Sequence, residues 1–146
     1  MGRIIDLSHP IENGMITYTG LPGPKISDFL SREASRGHYA EGTTFQIGKI
    51  EMVANTGTYI DAPFHRYAEG KDLSRFDLEA VANLDGLAIM VDPETRAITP
   101  GLFKDRKINK KAVLIHTGWD RYWSTAQYFE EHPFLTRESA EYLKSA

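Results

Sequence analysis

Two runs, LAIMV (87–91) and AVLIHTGW (112–119), most constrain what this chain can fold into. The first is apolar throughout and the second nearly so. Both have strand length and neither approaches a membrane span, so each reads as a buried strand. The segments around them predict only short helices. FDLEAVANLDG (76–86) places Asp77 as an N-cap, Leu78 and Val81 on one face and Gly86 at its end. ITPGLFKD (98–105) has Thr99 as N-cap and Pro100 at the first helical position. TAQYFEEHPF (125–134) reads as a helical segment ended by its proline. LTRESAEYLKSA (135–146) opens a helix at Thr136 and offers Ala140, Tyr142 and Leu143 to the core.

The first half carries more punctuation. RIIDLS (3–8) predicts a first strand, and IENGMITYTGLPGPKIS (11–27) a loop marked by Asn13-Gly14 and two Gly/Pro clusters. DFLSREASRG (28–37) suggests a short turn of helix. TTFQIGKIEMVA (43–54) predicts one long strand or a hairpin around Gly48, anchored by Phe45, Ile47, Ile50 and Met52. Strands and short helices alternate with no repeat, low-complexity tract or linker. The expectation is one α/β or α+β domain over residues 1–146, a length that supports a real core. The last residues, YLKSA, lie in or just after a helix with nothing to cap it, which suggests a longer protein truncated at this end.

Composition narrows the chemistry. The chain has no cysteine, which excludes disulfides, thiolate zinc sites and a cysteine nucleophile. Any metal must use His, carboxylate, amide, phenol or water. A net charge of -3 with mixed signs gives no electrostatic case for nucleic acid or a membrane as partner. The densest basic run, KDRKINKK (104–111), reads as a solvated loop and strand entry. MGRIIDLSHP lacks the apolar core of a signal peptide, so a cytoplasmic location is expected. No nucleophilic serine elbow, phosphate-binding glycine loop or dinucleotide fingerprint occurs.

The stretch ANTGTYIDAPFHRYAEGKDL (54–73) gathers the residues that could act together. Gly57 allows positive φ or close backbone approach. The Thr58 hydroxyl can fix the loop, and Pro63 stiffens the chain between Asp61 and His65. A carboxylate and an imidazole on such a turn can form a pair in which Asp61 orients the ring and raises its basicity. Equally, Asp61 can cap a turn and His65 can sit at the surface. Residues 55–65, NTGTYIDAPFH, resemble the signature of the cyclase family, which includes bacterial kynurenine formamidases and isatin hydrolases. That signature runs His-x-Gly-Thr-His-x-Asp-x-Pro-x-His, and Gly57, Thr58, Asp61, Pro63 and His65 match it in register. IIDLSHPIENGM, VLIHTGWDRYW and HPFLTRESAEYL extend the likeness over nearly the whole chain.

The resemblance implies a swivelling β/β/α domain with a mixed sheet and short helices around it, assembled as a homodimer or homotetramer. It implies a hydrolase of small amides or lactams, arylformamidase-like, using divalent zinc or manganese. Asp61 would then be a metal ligand, His65 the catalytic proton carrier, and Thr58 and Phe64 would face a small-molecule substrate, Phe64 as a wall for an aromatic ring. Where the family has its first two histidines, this chain has Asn55 and Tyr59. Neutral imidazole is a good donor for zinc or manganese, whereas an amide oxygen suits hard cations. A phenol must lose its proton to bind well. Asn55, Tyr59 and Asp61 make a poor zinc site; magnesium is the hard-ion alternative, though it favours more carboxylate. The family's further C-terminal His and Glu ligands also have no counterpart; His132 matches its HP turn, and Glu138 lies in the last helix. Two alternatives stay open: a non-catalytic small-molecule-binding or assembly member of the same fold, and a metal-independent hydrolase using Asp61 and His65. Of the other histidines, His9 reads as a strand-end packing residue, His38 as surface, and His116 as a neutral core residue. Tyr18, Trp119 and Trp123 read as core or interface aromatics.

Overall fold

The computed structural model describes residues 3–146, which fall into two compact units divided between Asp61 and Ala62. The first unit is built on an antiparallel ribbon of β1 (Lys25–Leu30) and β2 (Ile47–Glu51). Its register slips between Asp28 and Leu30, leaving Phe29 on a bulge and 74% exposed. Loop residues fasten onto this ribbon through polar groups. The Asn13 Oδ1 accepts from the Ile26 N–H at 2.8 Å, and the Gly14 N–H donates to the Pro24 carbonyl at 2.7 Å. Ser35 is fully buried because its hydroxyl does two jobs, donating to the Arg32 carbonyl and accepting from the Phe45 N–H at 2.9 Å.

Several expectations for this half are corrected. Residues 3–8 form no strand: their β-branched side chains favour extended backbone, but no strand among the described residues pairs with them. The segment 28–37 forms no regular helix; its first residues complete β1, and the rest forms turns, one closed by the Ser35 N–H on the Ser31 carbonyl at 3.0 Å. Pairing with β2 overrides the weak local preference. The strand expected over 43–54 is confined to Ile47–Glu51, within the range where β1 supplies a partner.

The second unit holds the apolar core. Strand β3 (Gly86–Met90) pairs in parallel with β5 (Ala112–His116), and the two-residue strand β4 (Ala97–Ile98) pairs in parallel with β6 (Phe134–Leu135). Ile89, Val91, Ile98, Phe103 and Ile108 are buried together, with Leu87, Val113, Ile115, Tyr142 and Leu143 packed around them. The chain is therefore of the expected α/β class, with small sheets of mixed pairing and short helices, and no sheet among the described residues closes into a barrel.

The helix α1 (Arg137–Ser145) starts where expected. Thr136 accepts from the Ser139 N–H at 3.2 Å, the arrangement that makes a threonine N-cap stabilise a helix by about 1 kcal/mol. Ser139 is fully buried and donates to the Ile98 carbonyl at 2.6 Å, tying α1 to β4. The other predicted helices are single 3₁₀ turns at Leu78–Ala80, Pro100–Leu102 and Ala126–Phe129. Asp77 and Thr99 occupy N-cap positions without a side-chain capping bond. His116 is exposed at the end of β5 rather than buried, because successive strand residues face opposite ways: Val113 and Ile115 pack on the core, while Leu114 and His116 face away from it. Trp119 is buried as expected; its indole N–H donates to the Tyr128 carbonyl at 3.1 Å and the Arg96 guanidinium lies 4.7 Å from its ring.

Candidate functional site

The signature residues occupy the last loop of the first unit and the first turn of the second. In the loop, Gly57 has φ +66°, a left-handed conformation that side chains other than glycine's adopt only with strain. A Cβ there would also stand 3.6 Å from Ile11 Cγ1. The hydroxyl that fixes this loop is that of Thr56, 3% exposed and donating to the Val53 carbonyl at 2.7 Å. Thr58, expected to do so, is exposed. Asn55 is half-buried, while Tyr59 and Asp61 are exposed.

Pro63–His65 form a 3₁₀ turn with the proline at its head, where a missing N–H costs nothing. Its geometry is closed by backbone bonds. The His65 N–H donates to the Ala62 carbonyl at 2.9 Å, and the Pro63 carbonyl accepts from both Arg66 and Tyr67. The Phe64 N–H donates to the Lys71 carbonyl at 3.2 Å, which brings residues 70–75 beside the turn. Phe64 thereby lines a concavity of about 370 Å³ together with Glu69, Asp72, Ser74 and Arg75. That is within the lower size range of small-molecule sites. Phe64 is the aromatic residue of this lining, and the next residue in the chain is His65.

Glu69, Asp72, Ser74 and Arg75 were not singled out from the sequence. The Asp-x-Ser spacing of GKDLSRF was the available signal, since an Asp side chain readily bonds the backbone two residues on. Asp72 does so, accepting from the Ser74 N–H at 2.9 Å. That backbone bond, with a smaller side-chain contribution from Ser74, holds the Asp72 carboxyl below the usual carboxylate range. A carboxyl more acidic in the folded than in the unfolded chain stabilises its turn above the ordinary carboxylate value, and the effect fades as pH falls through the depressed one. The Ser74 amide resonance is expected to hold its position from neutral pH down to that ordinary range and to move below it. Asp72→Asn should abolish the movement while keeping an acceptor. A Ser74 amide that stays fixed throughout acid titration would count against the bond.

The donor set expected for a metal does not fit zinc or manganese. Asn55 offers an amide oxygen, Tyr59 a phenol that is 49% exposed, and Asp61 one carboxylate. Among the described residues, no group of three or more His, Asp or Glu side chains is placed to hold an ion. No helix among them is long and apolar enough to cross a membrane.

Comparison with known proteins agrees with the signature. The kynurenine formamidase of Bacillus cytotoxicus is 36% identical over 142 residues, 95% of this chain and 62% of that protein. The kynurenine formamidase of Bacillus thuringiensis is 36% identical over 75 residues, 51% of this chain and 32% of its own length. Cyclase-like protein 1 of rice (Oryza sativa subsp. japonica) is 28% identical over 125 residues, covering 80% of this chain and 42% of its own. The chain thus spans between 32% and 62% of the length of these relatives. The family model described as "Putative cyclase" matches residues 5–146, and the chain belongs to that cyclase family.

Proposed function

We propose that this chain is an amide hydrolase of the cyclase type, acting on a small aryl formamide, with His65 as its proton carrier. The observation that carries the reading is the signature turn: a backbone-locked 3₁₀ turn holds Phe64, which lines a small concavity, and His65, the next residue in the chain. The likeness to proteins named kynurenine formamidase supports the substrate class. In the reaction, water adds to the formyl carbon as the His65 imidazole takes its proton. The C–N bond then breaks, and the same proton passes to the leaving nitrogen, giving the free amine and formic acid, which loses its remaining proton to water as formate. Phe64 offers an apolar face for the aryl ring. No step is assigned to a metal, because Asn55, Tyr59 and Asp61 are a poor donor set for the ions that would polarise the carbonyl.

Turnover of N-formylkynurenine, before and after chelation, tests this. Turnover that survives chelation and is lost in His65→Ala is the expected result. Turnover abolished by chelator and restored by zinc or manganese would return the family's metal-dependent form. The replacement of both signature histidines by Asn55 and Tyr59 favours one second reading, a non-catalytic member that binds a small aromatic molecule. Absence of turnover with and without added metal would select it.

A further inference from the structure

We infer that Gly70 is a positioning residue for His65, acting through the backbone of Pro63; the catalytic part of this inference rests on the function proposed above. Gly70 lies five residues after His65 in a loop that folds back on the signature turn. A Cβ at position 70 would stand 2.6 Å from the Pro63 carbonyl carbon, 2.7 Å from the Phe64 nitrogen and 2.8 Å from the Pro63 oxygen. All three are backbone atoms, so no change of rotamer relieves the overlap.

The demand is for space, not for a special conformation: Gly70 is not among the glycines with positive φ. Gly23 is held as closely, since a Cβ there would stand 2.7 Å from Gly14 backbone atoms, but it lies in the first unit and is no part of the signature turn. Gly101 has nothing nearer than the Thr99 Oγ1 at 3.7 Å, and Gly48 has nothing within 4 Å.

The atoms that Gly70 approaches are those that set the turn. The Pro63 carbonyl accepts from the Arg66 N–H at 3.0 Å and the Tyr67 N–H at 2.9 Å. The Phe64 N–H donates to the Lys71 carbonyl, one residue beyond Gly70, while the Gly70 N–H donates to the Tyr67 carbonyl at 2.7 Å. Residues 63–71 are therefore a closed loop whose two ends touch at Gly70 and Pro63. The proline ring fixes φ at that contact, so the loop has little freedom to yield there. Any side chain at position 70 pushes the turn as a body, carrying Phe64 and His65 with it. Near a reacting centre, a displacement of about 1 Å can cost on the order of 100-fold in rate.

The test compares Gly70→Ala with Gly101→Ala in the full chain. It reads the ring resonances of His65, the amide resonances of Phe64 and His65, and hydrolysis of N-formylkynurenine. Gly70→Ala is expected to displace those resonances and to lower kcat on the order of 100-fold with KM little changed. Gly101→Ala is expected to leave both as they were. Trp119 fluorescence reports whether the second unit remains folded, since its indole is buried and bonded away from the loop. Should Gly70→Ala unfold, Pro63→Ala takes its place: it adds no bulk, frees φ on the other side of the same contact, and is expected to displace the His65 ring resonances. Unmoved His65 and Phe64 resonances in a folded Gly70→Ala, or unmoved His65 resonances in a folded Pro63→Ala, would overturn the inference. Should the parent protein hydrolyse nothing, the proposed function fails, while the resonances still decide whether Gly70 sets the turn.

Discussion

His65→Ala is expected to lower amide hydrolysis by about 10²–10⁴-fold, the range that a positioned general acid–base group contributes. On the proposed mechanism the loss should fall on kcat, because there the imidazole moves a proton in the transition state while Phe64 still holds the ring. His65 is exposed, and its N–H bond to the Ala62 carbonyl comes from the backbone, which alanine also supplies. A variant that still melts cooperatively, with hydrolysis lost, is therefore the expected pair of measurements. Hydrolysis within a few-fold of the parent's, in a variant that folds, would remove His65 from the mechanism.

Phe103→Ala is expected to have the largest effect on stability, about 3–5 kcal/mol. Phe103 is 0% exposed at the centre of the second unit's core, its ring 6.3 Å from that of Tyr142 on α1 and nearly parallel to it. Truncation would empty the space between the 3₁₀ turn at Pro100–Leu102 and α1, two elements that backbone bonds alone do not join. Marginal stabilities of about 5–15 kcal/mol make such a loss a large share of the total. Met90→Ala supplies the contrast: Met90 is apolar but 75% exposed, and its truncation should cost little. Denaturant midpoints of the two variants check the claim, and a Phe103→Ala midpoint as mild as that of Met90→Ala would displace Phe103 from the core.

The parts legible in the sequence were those decided locally. LAIMV and AVLIHTGW are apolar over strand length and both supply strands, but only alternate residues turn to the core: Met90 is 75% and Leu114 44% exposed. Thr136 announces α1 because its hydroxyl reaches an amide three residues on. The parts that were not legible depend on partners distant in the chain. KISDFL (25–30) looks like loop and helix start, and it becomes β1 only because residues 47–51 pair with it. RIIDLS looks like a strand and is not one, for want of such a partner among the described residues. His116 ends an apolar run that points to the core, but it falls on the face of β5 that Leu114 also occupies, away from the core. The signature turn was visible as a motif; its wall was not. Asp72, Ser74 and Arg75 join Phe64 only because the chain lies close enough for Gly70 to touch Pro63, and nothing in the local spelling announces that approach.

The bond from Ser139 to the Ile98 carbonyl joins residues 41 apart in sequence, and β3 must likewise wait for β5. As the polypeptide leaves the ribosome, the ribbon of β1 and β2 can close as soon as residue 51 is made. The apolar β3 has no such early refuge and stays unpaired until β5 is complete at residue 116. Nascent chains stalled before residue 112 would accordingly present a greasy, unpaired segment to chaperones, and the second unit should form more slowly than the ribbon.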